Sequence, residues 1–137
     1  MKAFAAPRPA PQTSRPSQRA DLGPARDLGP AIDLVHLSRQ SMGDAALERE
    51  LLDMFDRQSA RLVAQLMAVE PADSTARANL AHKLRGSALA LGAGRVASAA
   101  SAFEDCCLSA SGDCEPLARA LAEAVSEARA EIGRLAQ

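Results

Sequence analysis

The chain contains no tryptophan and no tyrosine, and only three phenylalanines, Phe4, Phe55 and Phe103. All-β domains lean on aromatic and β-branched side chains, so this scarcity argues against one. No apolar run approaches the roughly 20 residues of a membrane-spanning helix, and no membrane association is expected. The three cysteines, Cys106, Cys107 and Cys114, are an odd number and make no disulfide framework. Adjacent cysteines do not easily bridge each other, so small, buried, reduced thiols in a reducing compartment are expected. They also lack the paired C-x-x-C spacing of a zinc site, and no metal is expected. A basic excess is missing too. Sixteen Lys and Arg face 17 Asp and Glu, a net charge of −1, which disfavours a dedicated nucleic-acid binder. The apolar stretch after Lys2 is cut by Pro7, Pro9 and Pro11. That is no secretory signal, and a cytoplasmic location is the expectation.

What is present is helical in character. The 137 residues fit one domain. Hydrophobic residues make up 47%. Alanine and leucine dominate, with abundant Arg and Glu, all strong helix formers. Six of the eight prolines lie in residues 1–30, where a short duplication also begins, Asp21 to Arg26 and then Asp27 to Ile32. This segment carries Lys2, Arg8, Arg15, Arg19 and Arg26 against Asp21 and Asp27. It lacks any periodic apolar pattern and is expected to form a disordered Pro/Arg-rich arm. The remainder, residues 31–137, is mildly acidic and is expected to form the folded domain.

From residue 31 onward the apolar residues recur at helical spacing. Asp33 is placed to cap a short helix through Leu34, Val35 and Leu37. Gly43 and Asp44 stop it and cap a long second helix, with Leu47, Leu51, Met54, Phe55, Leu62, Leu66 and Val69 as its stripe. Pro71 ends that helix, and Asp73 caps a third with Leu80, Leu84, Ala88 and Leu91 as core positions. Gly92 and Gly94 separate it from a fourth carrying Val96, Ala100, Phe103 and Cys107. Gly112 and Asp113 precede a fifth with Leu117, Leu121, Val125, Ala128, Ile132 and Leu135. Short connections make neighbours antiparallel. The expected fold is an all-α, up-down-up-down four-helix bundle with a short N-terminal helix over one end.

One residue of the third helix is out of phase with its core. At about 100° per residue, His82 falls almost opposite the mean direction of Leu84, Ala88 and Leu91. Arg85 lies one turn on. Gly86 flanks the histidine on the exposed side, although glycine within a helix costs roughly 1 kcal/mol relative to alanine. Ala78, Asn79 and Leu89 fall on the same strip by phase. A solvated face would carry Glu and Lys; this one is small, partly apolar and centred on an imidazole beside a cation. An exposed imidazole, with an ordinary pKa of about 6.5, is a neutral nucleophile for much of the time near pH 7. A guanidinium beside it can steady phosphoryl charge. The strip holds no companion acid or base, which points to a group carrier rather than a self-sufficient catalyst. His36, without such neighbours, is read as a cap or surface residue.

The run Ala81-His82-Lys83-Leu84-Arg85-Gly86-Ser87-Ala88 resembles the histidine-phosphotransfer (HPt) family signature, H-x-L-K-G-S or a close variant. Leu91-Gly92-Ala93, Val96, Ala100 and Phe103-Glu104 downstream fit the same pattern. So do Ile32-Asp33-Leu34, Gly43-Asp44 and Leu51 to Phe55 upstream. The resemblance covers residues 31–137. It implies that His82 is the phosphoacceptor of a two-component phosphorelay, with Arg85 stabilising phosphate charge where the family usually has lysine. Lys83, Gly86, Leu89, Ala78 and Asn79 would meet the partner. That partner would be the receiver domain of a hybrid histidine kinase, of a response regulator, or of both. The receiver would bring Mg²⁺, and this chain, expected to be monomeric, would hold no cofactor.

Two other classes fit less well. A sensor-kinase dimerisation domain needs an ATP-binding partner domain, and no Gly-rich nucleotide box or spare length is present. A non-catalytic receiver-binding adaptor would not need His82, which is intact. A chain beginning at Ala31 is expected to keep its helicity and cooperative melting; circular dichroism of that truncation is the check.

Overall fold

A computed structural model describes residues 29–109 and 112–136. The expected disordered arm falls almost wholly outside the described residues. Five helices follow in order: α1 (Leu34–Ser41), α2 (Ala45–Ala68), α3 (Ser74–Leu91), α4 (Gly94–Ser109) and α5 (Glu115–Leu135). No strand occurs among the described residues.

Local chemistry sets the helix starts. The Asp33 carboxylate accepts from the backbone N–H groups of Val35 and His36, at 3.0 and 3.2 Å. Asp44 does the same for Ala46 and Leu47, and Asp73 accepts from Ala76 N–H. Each satisfies N–H groups that an isolated helix leaves open. At the start of α5, Asp113 accepts from Glu115 N–H, and Pro116 occupies the first turn, where its missing N–H costs nothing.

The 24 residues of α2 span about 36 Å at 1.5 Å per residue. Contacts join α2 to α3, α3 to α4, α4 to α5 and α5 back to α2, a closed ring around one core. That core contains Phe55, Leu62 and Leu66 of α2, Leu84 and Leu91 of α3, Val96 and Phe103 of α4, and Leu121 and Ile132 of α5. The most extensive contact joins α3 and α4, both of which bury alanines, Ala81 and Ala88 on one and Ala97 and Ala100 on the other. Small side chains let helix axes approach closely.

Helix α1 is seated on the α3–α4 turn. Asp33 N–H donates to the Gly92 carbonyl at 2.9 Å, and His36 Nε2 bonds the Ala90 carbonyl at 3.1 Å. His36 thus has a structural partner. Gly92 has φ +93°, and a Cβ there would stand 3.1 Å from the Asp33 oxygen and 3.2 Å from His36 Cβ. Only glycine combines that backbone with that approach. The expected domain start at residue 31 omits one contact: the Gly29 carbonyl accepts from Arg95 Nε at 2.9 Å.

Three expectations need correction. Met54 and Leu135 of the apolar stripes are exposed, Met54 because it lies about 100° round α2 from the buried Phe55 and Leu135 because it is the last residue of α5. The buried arc of α3 is wider than expected and rotated towards Arg77, Ala78 and Ala81, leaving Leu80 half-buried. This helix packs against both α2 and α4, so two flanks are covered rather than one. The cysteines are not all thiols. Cys106 and Cys114 form a disulfide across the α4–α5 connection, while Cys107 remains a buried thiol. Cys106 pairs not with its neighbour but with the residue eight positions on, across the connection, at a Cα–Cα distance of 6.0 Å.

Arg77 lies beside this bridge. It is 5% exposed, stands 5.0 Å over the Phe103 ring and bonds Glu115 at 2.8 Å. One buried cation therefore ties α3 to α4 and α5. Burial pushes the Cys107 thiol up from its ordinary value, partly offset by Arg77. Cys107 should therefore resist alkylation in the folded protein. Closing a separation of eight residues stabilises by about 2.5 kcal/mol in the chain-entropy model. Reduction should lower the melting temperature by several degrees, read by circular dichroism with and without reductant. Unfolded, unreduced protein should show one reactive thiol, and reduced protein three.

Candidate functional site

The site is built where α3 and α4 run side by side. His82 sits on the exposed flank of α3, its side chain 65% exposed. The out-of-phase placement expected from the sequence is what the fold presents. Gly86, one turn on, is exposed, and a Cβ added there would meet nothing within 4 Å. Its lack of a side chain thus serves no internal packing. Leu89 is 53% exposed further along, and Asn79 and Lys83 are exposed. Ala78 is not part of this surface. It is 3% exposed, covered because the buried arc of α3 extends further round than the apolar stripe alone indicated.

The companion acid missing from the strip comes from the neighbouring helix. Glu104 of α4, 14% exposed, places Oε2 at 3.2 Å from His82 Nδ1. Its other oxygen, Oε1, stands 3.5 Å from Arg85 Nη1. An ionised carboxylate only accepts, so the histidine must donate this bond from Nδ1–H. In the neutral ring the lone pair then resides on Nε2. Glu104 therefore selects the tautomer, and fixes the ring on a side chain that otherwise stands in solvent. The arrangement parallels the carboxylate–imidazole pair of hydrolytic triads in logic, without a hydroxyl nucleophile.

Arg85 is held less firmly. Its side chain is 40% exposed, and 3.5 Å is at the outer limit of a hydrogen bond. It can turn towards an anion at Nε2 while Glu104 keeps the ring in place. On the other flank of α3, Ser87 Oγ donates to Gln58 Oε1 of α2 at 2.9 Å, which fixes the helix carrying the site against its second neighbour. Glu104 was within reach of sequence reasoning as part of the Phe103-Glu104 pair, but its role required knowing the register of α4 on α3.

Among the described residues no group of three or more His, Cys, Asp or Glu side chains is placed to hold a metal ion. Among them, too, no helix is long and apolar enough to cross a membrane.

The family model for the Hpt domain matches residues 50–135, more than half of the chain and all of α3, α4 and α5. The chain belongs to the Hpt domain family, the histidine-phosphotransfer modules of two-component signalling. Members of this family are phosphocarriers rather than stand-alone enzymes, and they interact with receiver domains. Neither the curated proteins nor the solved structures contain a match to the chain.

The geometry predicts a tautomer. Nitrogen NMR of the neutral protein should show His82 predominantly with hydrogen on Nδ1. Glu104→Ala should shift it towards the Nε2–H form that is usual for unconstrained imidazole. An unchanged tautomer ratio would mean that Glu104 does not set it.

Proposed function

We propose that this chain is a monomeric phosphocarrier that takes a phosphoryl group onto His82 Nε2 from one receiver-domain aspartate and passes it to another. Its scaffold in this reading is an up-down-up-down four-helix bundle with α1 over one end. The observation that carries the proposal is the pairing of His82 Nδ1 with Glu104 on a side chain that is 65% exposed.

The step balances as follows. The Nε2 lone pair forms an N–P bond as the acyl-phosphate P–O bond of the receiver breaks, and the receiver's carboxylate leaves with the electron pair. The imidazole, still carrying hydrogen on Nδ1, gains positive charge as the N–P bond forms. Glu104 stands beside that hydrogen and offsets the charge. Phosphoryl transfer has a loose transition state, so placement and charge stabilisation do most of the work. Arg85 supplies positive charge near the transferring oxygens. Gly86 leaves room for the receiver's backbone and its phosphate, and Leu89, Asn79 and Lys83 extend the contact along α3. The Mg²⁺ of the reaction belongs to the receiver, and this chain contributes no cofactor of its own.

The deciding experiment mixes the protein with phosphorylated receiver domains and follows the label. Acid-labile, base-stable label on the wild type, and none on His82→Gln, is the expected result. Tight binding of a receiver without label transfer would instead support the adaptor reading. Gly86→Gln should keep the fold and raise the melting temperature slightly, since the site is open and glycine is a poor helix former, yet slow transfer by roughly tenfold or more, equivalent to about 1.4 kcal/mol in the barrier. Arg85→Ala should slow transfer without changing the His82 tautomer, and Arg85→Lys should recover part of the rate.

A further inference from the structure

The seam between α2 and α5 lies across the ring from the α3–α4 seam that carries His82. It holds a groove of about 1330 Å³ walled by α1, the first half of α2 and the last part of α5. That exceeds the roughly 300–1,000 Å³ of ordinary small-molecule pockets and suits a length of polypeptide. Leu52 and Ile132 lie along it, and Leu34 and Leu135, 51% and 38% exposed, form an apolar lip. Its charged lining is acidic in balance: Glu48, Glu50, Asp53 and Asp56 against Arg49 and Arg129. Asp56 is paired with Arg129 and Asp53 with Arg57, but no side-chain partner meets Glu50 among the described residues.

We propose that this groove is the docking site of the chain's own residues 1–20. Three observations choose that occupant. First, the described chain begins one helix away from the groove: Arg95 of α4 bonds the Gly29 carbonyl and also Glu127 of α5, and the groove takes in Ser126 and Arg129 on the other flank of that helix. Second, the reach suffices. The eight residues from 21 to 28 span up to about 27 Å extended, more than the roughly 10–12 Å diameter of the single helix they must cross. Third, the charges complement. Residues 1–20 contain Lys2, Arg8, Arg15 and Arg19 and no acid, with Phe4 as an apolar anchor. A tethered segment docks at a high effective concentration, so weak contacts suffice. Docking there leaves the His82 face open to a partner.

The test uses the full chain with p-benzoylphenylalanine placed at Ala130, an exposed groove residue, and in a second protein at Ala120, exposed on the same helix outside the groove. After irradiation, cross-linked peptides are mapped by mass spectrometry. The expected result is an intramolecular link from position 130 to residues 1–20, several-fold more abundant than from position 120. It should weaken at 1 M salt, where the Debye length falls to about 3 Å, and in a Lys2, Arg8, Arg15 and Arg19 to Ser variant. Links found only in a dimer band would assign the groove to a second copy and overturn the proposal. Equal links from both positions, or none to residues 1–20, would overturn it as well.

Discussion

The close approach of α3 and α4 is the constraint on which the site rests. A core with few aromatics and many alanines has thin helix–helix interfaces, and the α3–α4 interface is the most extensive in the ring. Because the two helices lie so near, a glutamate on one reaches an imidazole on the other at 3.2 Å. Had bulkier residues stood at Ala81, Ala88, Ala97 or Ala100, the axes would separate and the carboxylate would lose the ring. The scarcity of large side chains, which first excludes a β architecture, is thus also what allows a two-helix site.

The site divides its work by exposure. Glu104, mostly covered, is the fixed member; His82, mostly open, is the proposed phosphoacceptor; Arg85, between the two, is loosely held. A buried orienting group with an exposed nucleophile lets a partner approach without the protein rearranging. Nothing in this arrangement supplies a leaving group or a second acid, in keeping with a family of carriers that borrow the rest of the chemistry from the domains they meet.

Legibility from sequence followed the range of the interactions. The caps Asp33, Asp44 and Asp73 were readable because each acts on N–H groups two or three residues away. His82 and Gly86 were readable because exposure on a single helix follows from phase. Ala78 was misplaced because the width of a buried arc depends on how many neighbours a helix has, which phase does not contain. Glu104 escaped as a functional residue for a related reason: 22 positions separate it from His82, and only the packed register brings them together. The Cys106–Cys114 bridge depends likewise on how the α4–α5 connection folds back.

Gly92 shows how tightly two parts of the chain are joined. It ends α3 in a left-handed conformation, and the empty space at its Cβ is filled by the backbone and His36 of α1. The turn and the helix seated on it are therefore a single packed unit. A side chain at position 92 would press on the Asp33 carbonyl and the His36 ring, so the seat of α1 and the end of α3 are set by the same residue. Leu34 of α1 also lines the groove between α2 and α5, so one glycine in the α3–α4 turn helps to place a wall of a groove on the other side of the bundle.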